Sequence, residues 1–455
     1  MSVRLAAERL AARAAAGLSR AAGRGGGTTI PGKLLWKLDP GAIDLLAERL
    51  PQGAALVSAT NGKTTTSAMA AAILGRSRRL AWNRSGANLV SGVASTLLAA
   101  DGAELGVLEV DEGALSEVAR RVRPRAVCLG NLFRDQLDRY GELVHVAERW
   151  RATVDALPSE AVVVVNADDP QVGDLGRDRD RTLRFGLDDH RHARAGLQHA
   201  ADSKWCIRCG RPYDYRAAWV GHLGDYRCPA CGHERPPLDV AARDLELHGL
   251  ERAAFTLATP AGETRIELRV PGLYNVYNAV AAAALAHALG EPLDGIAAGL
   301  AGFDAAFGRF ERFEAGDRRV LMLLIKNPAG ANEAVRTLLD GGPPPTLVLA
   351  LNDAIADGRD VSWIWDVDLE PLLAAAGRIV ATGDRADELA LRCLYGGLQR
   401  ERLEVVPDLA TALDRGLELT AADAELVVLP TYTAMLRLRA IAGERGLVRP
   451  YWVAA

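Results

Sequence analysis

Short, largely apolar runs alternate with segments of helical period over most of this chain. Runs of that length, apolar at successive positions rather than alternating, predict strands buried on both faces of parallel sheets. The first is Ala54-Ala-Leu-Val-Ser-Ala59, and Gly106–Val110, Ala126–Leu129 and Ala161–Val165 follow it. A second series, Val320–Ile325, Thr346–Leu351, Arg378–Thr382 and Glu425–Leu429, predicts a separate α/β block beginning near Arg318. Residues 1–50 read as helical, with an amphipathic start and a Gly-rich turn at Gly23–Gly27. An alanine-rich helix is expected after Val270-Pro-Gly-Leu-Tyr-Asn-Val-Tyr-Asn278. Between about 187 and 240 the rhythm breaks into Arg-, His-, Asp- and Pro-rich sequence, which reads as an insertion. The expected organisation is an N-terminal helical segment (1–50) packed on a central domain (51–312) that carries an insertion at about 200–237, then a C-terminal α/β domain (313–455).

Composition narrows the class. The 455 residues are 49% apolar and 25% charged, with a net charge of −4. That length allows roughly two to four domains, and the balance excludes a disordered or fibrous chain and a global basic field for nucleic acid. No apolar run is long enough to span a bilayer and no secretory h-region is visible, so a cytoplasmic protein is expected.

Four of the six cysteines fall as Cys206-x-x-Cys209 and Cys228-x-x-Cys231, separated by 18 residues. Paired knuckles at this spacing bring four thiolates onto one tetrahedral ion, so a structural zinc site is expected. Gly210 and Gly232 follow the knuckles, where tight turns tolerate a positive φ. Cys128 and Cys393 lie in apolar stretches and read as small core residues.

Thr60-Asn-Gly-Lys-Thr-Thr65 joins the first strand to a helix. Gly62-Lys63-Thr64 is the core of a P-loop, in which amides at a helix N-terminus cradle phosphate, Lys63 adds charge and the Thr64 hydroxyl can bind Mg²⁺. Val57 stands where the full motif has its first glycine. Glu109, ending the strand that runs into Val110-Asp-Glu112, is the natural second magnesium ligand, and Asp111 and Glu112 read equally as charges at a helix start.

Several stretches then occur in the order found in Mur ligases: Thr60-Asn-Gly-Lys-Thr-Thr65, Asn83-x-x-Gly-Ala-Asn88, Leu108-Glu-Val-Asp-Glu112, Asn131-x-x-x-Asp-Gln-Leu-Asp138, Asn166-Ala-Asp-Asp169 and Asn275-Val-Tyr-Asn278. The chain resembles that family over nearly its whole length. Phe133–Gly141, Asp357-Gly-Arg-Asp-Val-Ser-Trp-Ile-Trp-Asp366, Thr382–Arg385 and Pro430–Met435 resemble its MurT branch. The resemblance implies an α/β fold with a Mur-ligase-like central P-loop ATPase domain, a four-cysteine zinc-ribbon insertion and a Rossmann-like C-terminal domain. It implies ATP and Mg²⁺ as cofactors, beside the Zn²⁺ expected from the cysteine spacing. Thr60, Asn61, Gly62, Lys63, Thr64 and Thr65 would hold the phosphates, Thr64 and Glu109 the magnesium, Asn275 the base, and Arg309 would reach the phosphates from the hinge. Asn275 could equally cap the alanine-rich helix. Gln136 stands where many members have a histidine, and none of the five lysines sits where the family has a carbamylated one, which leaves a second magnesium unsupported.

The same resemblance implies the activity of a lipid II isoglutaminyl synthase. ATP activates the α-carboxylate of D-glutamate in the peptidoglycan stem peptide, and ammonia from a GatD-like glutaminase in a heterodimer converts it to D-isoglutamine. A lipid-linked acceptor adds transient contact with the inner membrane face. The chain itself offers no glutaminase dyad, because four cysteines are assigned to zinc and no histidine follows His287. The loop Asn352–Trp365 combines acids, Gly358 and two tryptophans, the composition of an interface anchor. Either Asp357 or Asp360 would complete the partner's Cys–His pair; a turn and a helix cap are their structural alternatives. Two other readings compete. One is a self-sufficient Mur-type amino-acid ligase. The other is a nucleotide-gated zinc-ribbon module whose Arg208, Arg211, Arg216 and Arg227, with Trp205, Tyr213, Tyr215 and Trp219, stack on single-stranded nucleic acid.

Overall fold

The computed structural model describes residues 30–39, 41–84, 86–135, 142–198, 201–304 and 309–448. Its strands are β1 Ala54–Ser58, β2 Leu80–Trp82, β3 Leu105–Glu109, β4 Ala126–Leu129, β5 Val162–Asn166, β6 Thr182–Leu187, β7 Asp214–Val220, β8 Leu223–Arg227, β9 Val240–His248, β10 Arg252–Thr259, β11 Gly262–Leu268, β12 Arg309–Ala315, β13 Arg318–Leu323, β14 Thr346–Ala350, β15 Arg378–Thr382, β16 Leu403–Val405 and β17 Glu425–Pro430.

Nine of them form one sheet in the order β11-β10-β9-β6-β5-β4-β1-β3-β2. From β2 to β9 all pairings are parallel, and β9-β10-β11 continue as antiparallel hairpins. The apolar runs predicted from sequence occupy its centre, where burial on both faces requires an unbroken apolar sequence. Helices Lys63–Leu74 and Leu273–Ala288 cover one face, sharing a core with Val57, Val107, Val164 and Phe255. Helices Ile30–Leu38 and Ala42–Ala47 pack on the other, where Leu35, Ile43 and Leu46 meet Val93 and Leu97. The Gly23–Gly27 turn and the amphipathic start lie outside the described residues.

The second sheet has the order β12-β13-β17-β14-β15-β16, parallel except for β12 on β13. Ligands gather at the carboxyl ends of strands in open α/β sheets. The loops after β1, β3 and β4 in the first sheet, and after β13, β14 and β17 in the second, are therefore the positions to inspect. β7 and β8 make a separate hairpin inside the cysteine-bearing insertion, closed by Gly221 at φ 57 and His222.

Candidate active site in the interdomain cleft

The loop after β1 turns into helix Lys63–Leu74 at Gly62, the N-cap residue, whose φ of 86 is left-handed. A Cβ there would lie 2.0 Å from Asn278 Oδ1, so the position requires glycine for conformation and for space. Side chains fix the rest of the loop. Asn131, after β4, accepts from the Asn61 amide at 2.9 Å and donates to its carbonyl at 3.0 Å. Thr60 Oγ1 accepts from the Phe133 amide at 3.1 Å. Thr66 Oγ1 donates to Asn278 Oδ1 at 3.2 Å.

Lys63 is buried at the first turn and donates to Ala59 O and to Glu112, each at 3.0 Å. Burial alone would lower the lysine pKa and raise that of Glu112; the opposite charges prevail and move both the other way. Asp111 and Glu112 are both buried, the helix begins only at Leu115, and Glu112 serves as the counter-ion of Lys63. They are therefore not solvated charges at a helix start.

Glu109 stands beside Val57 in the β1–β3 register, which aims its carboxylate at the start of the neighbouring helix. Its Oε1 accepts from Thr64 Oγ1 at 2.9 Å and from Asn88 Nδ2 at 3.1 Å. Asn83 braces the backbone of the same residue, donating to Glu109 O at 2.9 Å and accepting from its amide at 2.8 Å. The asparagines of the Asn83–Asn88 motif thus position one acid. Thr64 and Glu109 together offer hard oxygens at the helix N-terminus, a donor set that suits a divalent cation.

Asn275 does not cap the alanine-rich helix, because the N-cap is Gly272. It is buried, donates to Pro271 O at 2.7 Å and accepts from Asn278 Nδ2 at 3.2 Å. The Arg309 side chain and Gln136 lie outside the described residues.

The second sheet brings a lysine that the motif analysis missed. Lys326, just beyond β13, donates to Thr60 O at 3.0 Å and pairs with Asp135. Asn327 exchanges amide hydrogen bonds with Asn61 at 3.0 and 3.2 Å and caps helix Pro328–Asp340. The available signal was a strand-end Lys-Asn-Pro in a chain of five lysines. Between the two sheets lies a cavity of about 120 Å³, bounded by Asn61, Gly62 and Thr65 on one side and by Lys326, Gly330 and Glu333 on the other.

Asp357 and Asp360 differ in environment. Asp357 is buried after β14, where it accepts from the Thr433 amide at 2.8 Å and from its hydroxyl, and burial pushes its carboxyl up. Asp360 is exposed, accepts from the Ser362 amide at 2.8 Å and is held below the usual carboxylate range by that residue. Five residues to either side of it in the chain, Ile355 and Trp365 are exposed, and Trp365 meets Tyr395 edge-on at 5.8 Å.

The four knuckle sulfurs lie within 4.8 Å of one another, with Cys206–Cys231 and Cys209–Cys228 at 3.5 Å. Gly210 and Gly232 have φ of 69 and 75, and their amides close each knuckle onto Cys206 O and Cys228 O. Four thiols in this array can hold a metal ion. Asp174 of the first-sheet layer anchors the insertion, meeting Arg208 at 2.9 Å and His233 at 3.5 Å. The residues named for the nucleic-acid reading do not form a stacking face: Tyr213 is buried in the insertion's core and Trp219 in the core of the first sheet, Arg208, Arg216 and Arg227 are paired with Asp174, Asp225 and Glu234, and Trp205 is left exposed. The two remaining cysteines, Cys128 and Cys393, are buried and pushed up to about 12, so neither is a thiolate at neutral pH.

Comparison with known proteins agrees with this arrangement. The Mur ligase middle domain family matches residues 57–208 and the MurT ligase C-terminal family residues 324–435. Subunit MurT of the glutamine-hydrolyzing lipid II isoglutaminyl synthase of Streptococcus pneumoniae is 33% identical over 93% of this chain and 94% of its own. The chain belongs to the MurT family. The Staphylococcus aureus MurT subunit is 32% identical over 82% of this chain and 84% of its own. The fold is shared more widely: a pseudomurein peptide ligase type C from Methanothermus fervidus superposes with a TM-score of 0.70 at 22% identity, covering 88% of this chain and 80% of that one. As a MurT-family member the chain is a carbon–nitrogen ligase of peptidoglycan synthesis. Among the described residues no helix is long and apolar enough to cross a membrane.

Proposed function

We propose that this chain is the ligase subunit of a lipid II isoglutaminyl synthase and amidates the α-carboxylate of the stem-peptide D-glutamate with ammonia from a GatD-like glutaminase. The observation that carries the reading is the convergence of Lys63, Thr64, Glu109 and Lys326 on one strand-end cleft in a chain that matches MurT over 93% of its length. A carboxylate oxygen attacks the terminal phosphorus of ATP and ADP leaves. Ammonia then attacks the acyl carbon, and phosphate departs with one former carboxylate oxygen. Amides of the loop Thr60–Thr65 and the ammonium groups of Lys63 and Lys326 oppose the charge on the moving phosphoryl group. Magnesium suits the Thr64 and Glu109 oxygens and, when bound, would draw negative charge from the phosphates. Zinc suits the four thiolates as a structural ion. Asn275 and Arg309 complete the nucleotide site.

Ammonia is mostly ammonium at neutral pH, so the nucleophile must arrive from a partner. Asp360 is the acid offered to the partner's Cys–His pair, because it is exposed, ionised and flanked by Ile355 and Trp365, whereas Asp357 is spent on Thr433. The work is cytoplasmic, with transient contact at the inner face of the membrane that holds the acceptor. The test is ATP turnover with lipid II and an ammonium salt. Lys63→Ala should abolish it in a chain that still folds, though less stably, and unimpaired turnover would remove the phosphate-loop assignment.

A further inference from the structure

Helix Pro328–Asp340 carries one carboxylate with an unmet need. Glu333 is 3% exposed and lines the interdomain cavity. Its Oε1 accepts from Arg194 at 2.9 Å, while its Oε2 has no hydrogen-bond partner among the described residues. A buried oxygen left this way is costly unless a ligand supplies a donor. The cavity it borders is walled mainly by apolar and aromatic side chains, including Phe133, Tyr274, Phe310 and Leu323, which suits a flat heteroaromatic ring. It opens directly onto Asn61, Gly62 and Thr65, so a ring attached to phosphates on that loop would extend into it.

We propose that Glu333 reads the nucleotide base: its free oxygen accepts a hydrogen bond from the exocyclic amino group of adenine and discriminates against a 6-oxo purine. The assignment rests on the nucleotide site proposed above. A 6-oxo base would set a lone pair against the carboxylate and leave both groups unpaired. The insertion fixes the position of this acid. Arg194 holds one oxygen, and Arg336 of the same helix donates to Trp219 O and His192 O, both at 3.0 Å. The residues flanking the cysteine cluster therefore set the geometry of base recognition from outside the central sheet.

Equilibrium binding of ATP and of inosine triphosphate to the full chain tests this. The wild-type chain should prefer ATP by about tenfold or more. Glu333→Leu should lose about tenfold in ATP affinity while inosine triphosphate changes less than about threefold. Glu333→Gln should raise affinity for inosine triphosphate relative to ATP, because the amide can turn its NH₂ toward the 6-oxo group. That gain cannot arise from damage to the fold, so it decides the matter even if the leucine variant does not fold. Parallel loss of both nucleotides, or an ATP preference unchanged in both variants, would overturn the role of Glu333. A wild-type chain that binds both nucleotides equally would overturn it too while sparing the proposed function; one that binds neither would remove the nucleotide site itself.

Discussion

Lys63 and Glu112 illustrate what a motif conveys and what it leaves out. The lysine is legible in Thr60-Asn-Gly-Lys-Thr-Thr65, but its counter-ion, 49 positions later, depends on the turn after β3. Burial of an ion pair makes each partner costly to remove. Glu112→Gln should lower stability by about 3 kcal/mol in urea unfolding at neutral pH, since it leaves Lys63 buried without its counter-charge. The pH dependence follows from the two directions. The carboxyl is depressed below 4.5, so its contribution is complete above that value and is lost as pH falls through the folded value. The ammonium is raised above 10.5, so its contribution is complete below that value and is lost as pH rises through the folded value. The gap between wild type and variant should stay level from about pH 5 to 10 and narrow on either side; a gap that still widens at pH 3 would contradict the pairing. Asp357 and Asp360 were indistinguishable by spacing, and only burial separates them. Asp360→Asn should suppress glutamine-dependent amidation and spare the reaction with ammonium salt. Asp357→Asn should instead reduce thermal stability, because Thr433 loses a charged acceptor.

Among elements, those buried on both faces were the easiest to foresee. β1, β3, β4, β5, β14 and β15 read as unbroken apolar runs because each is covered by helices. β9, β10 and β11 were missed. One face is exposed and carries cross-strand pairs such as Arg243–Glu263 and Arg252–Glu267, which break up the apolar pattern. Three-residue strands such as β2 and β16 are too short to show a period. The phosphate-loop turn gives a prediction at this scale. Gly62→Ala forces a left-handed φ on a side chain that would strike Asn278, so it should cost at least about 1–2 kcal/mol and weaken ATP binding. The insertion gives another. Chelation, or Cys228→Ser, should lower Tm first and nucleotide affinity only at higher chelator, since the knuckles lie at one end of β7–β8 while Val220 and Leu223, at the other, line the cavity. Affinity lost before stability would make the cysteines part of the nucleotide site.

In the whole molecule, contacts between the two sheets carry most of what sequence could not convey. Lys326 on Thr60, Asn327 on Asn61, Arg194 on Glu333 and Arg134 near Asp366 each join residues more than a hundred positions apart, and no motif states who meets whom. They draw the phosphate loop, the insertion and the Asp360 loop around one cleft. The family motifs conveyed the chemistry; the pairings that hold the cleft together required coordinates. The most direct measurement of the central claim follows the acceptor's oxygen. Lipid II labelled with ¹⁸O in the D-glutamate α-carboxylate is incubated with the chain, ATP, magnesium and an ammonium salt, and the phosphate released is analysed by mass spectrometry. Activation by phosphoryl transfer predicts one ¹⁸O in the phosphate for each amide formed. Amide formed with unlabelled phosphate would contradict it.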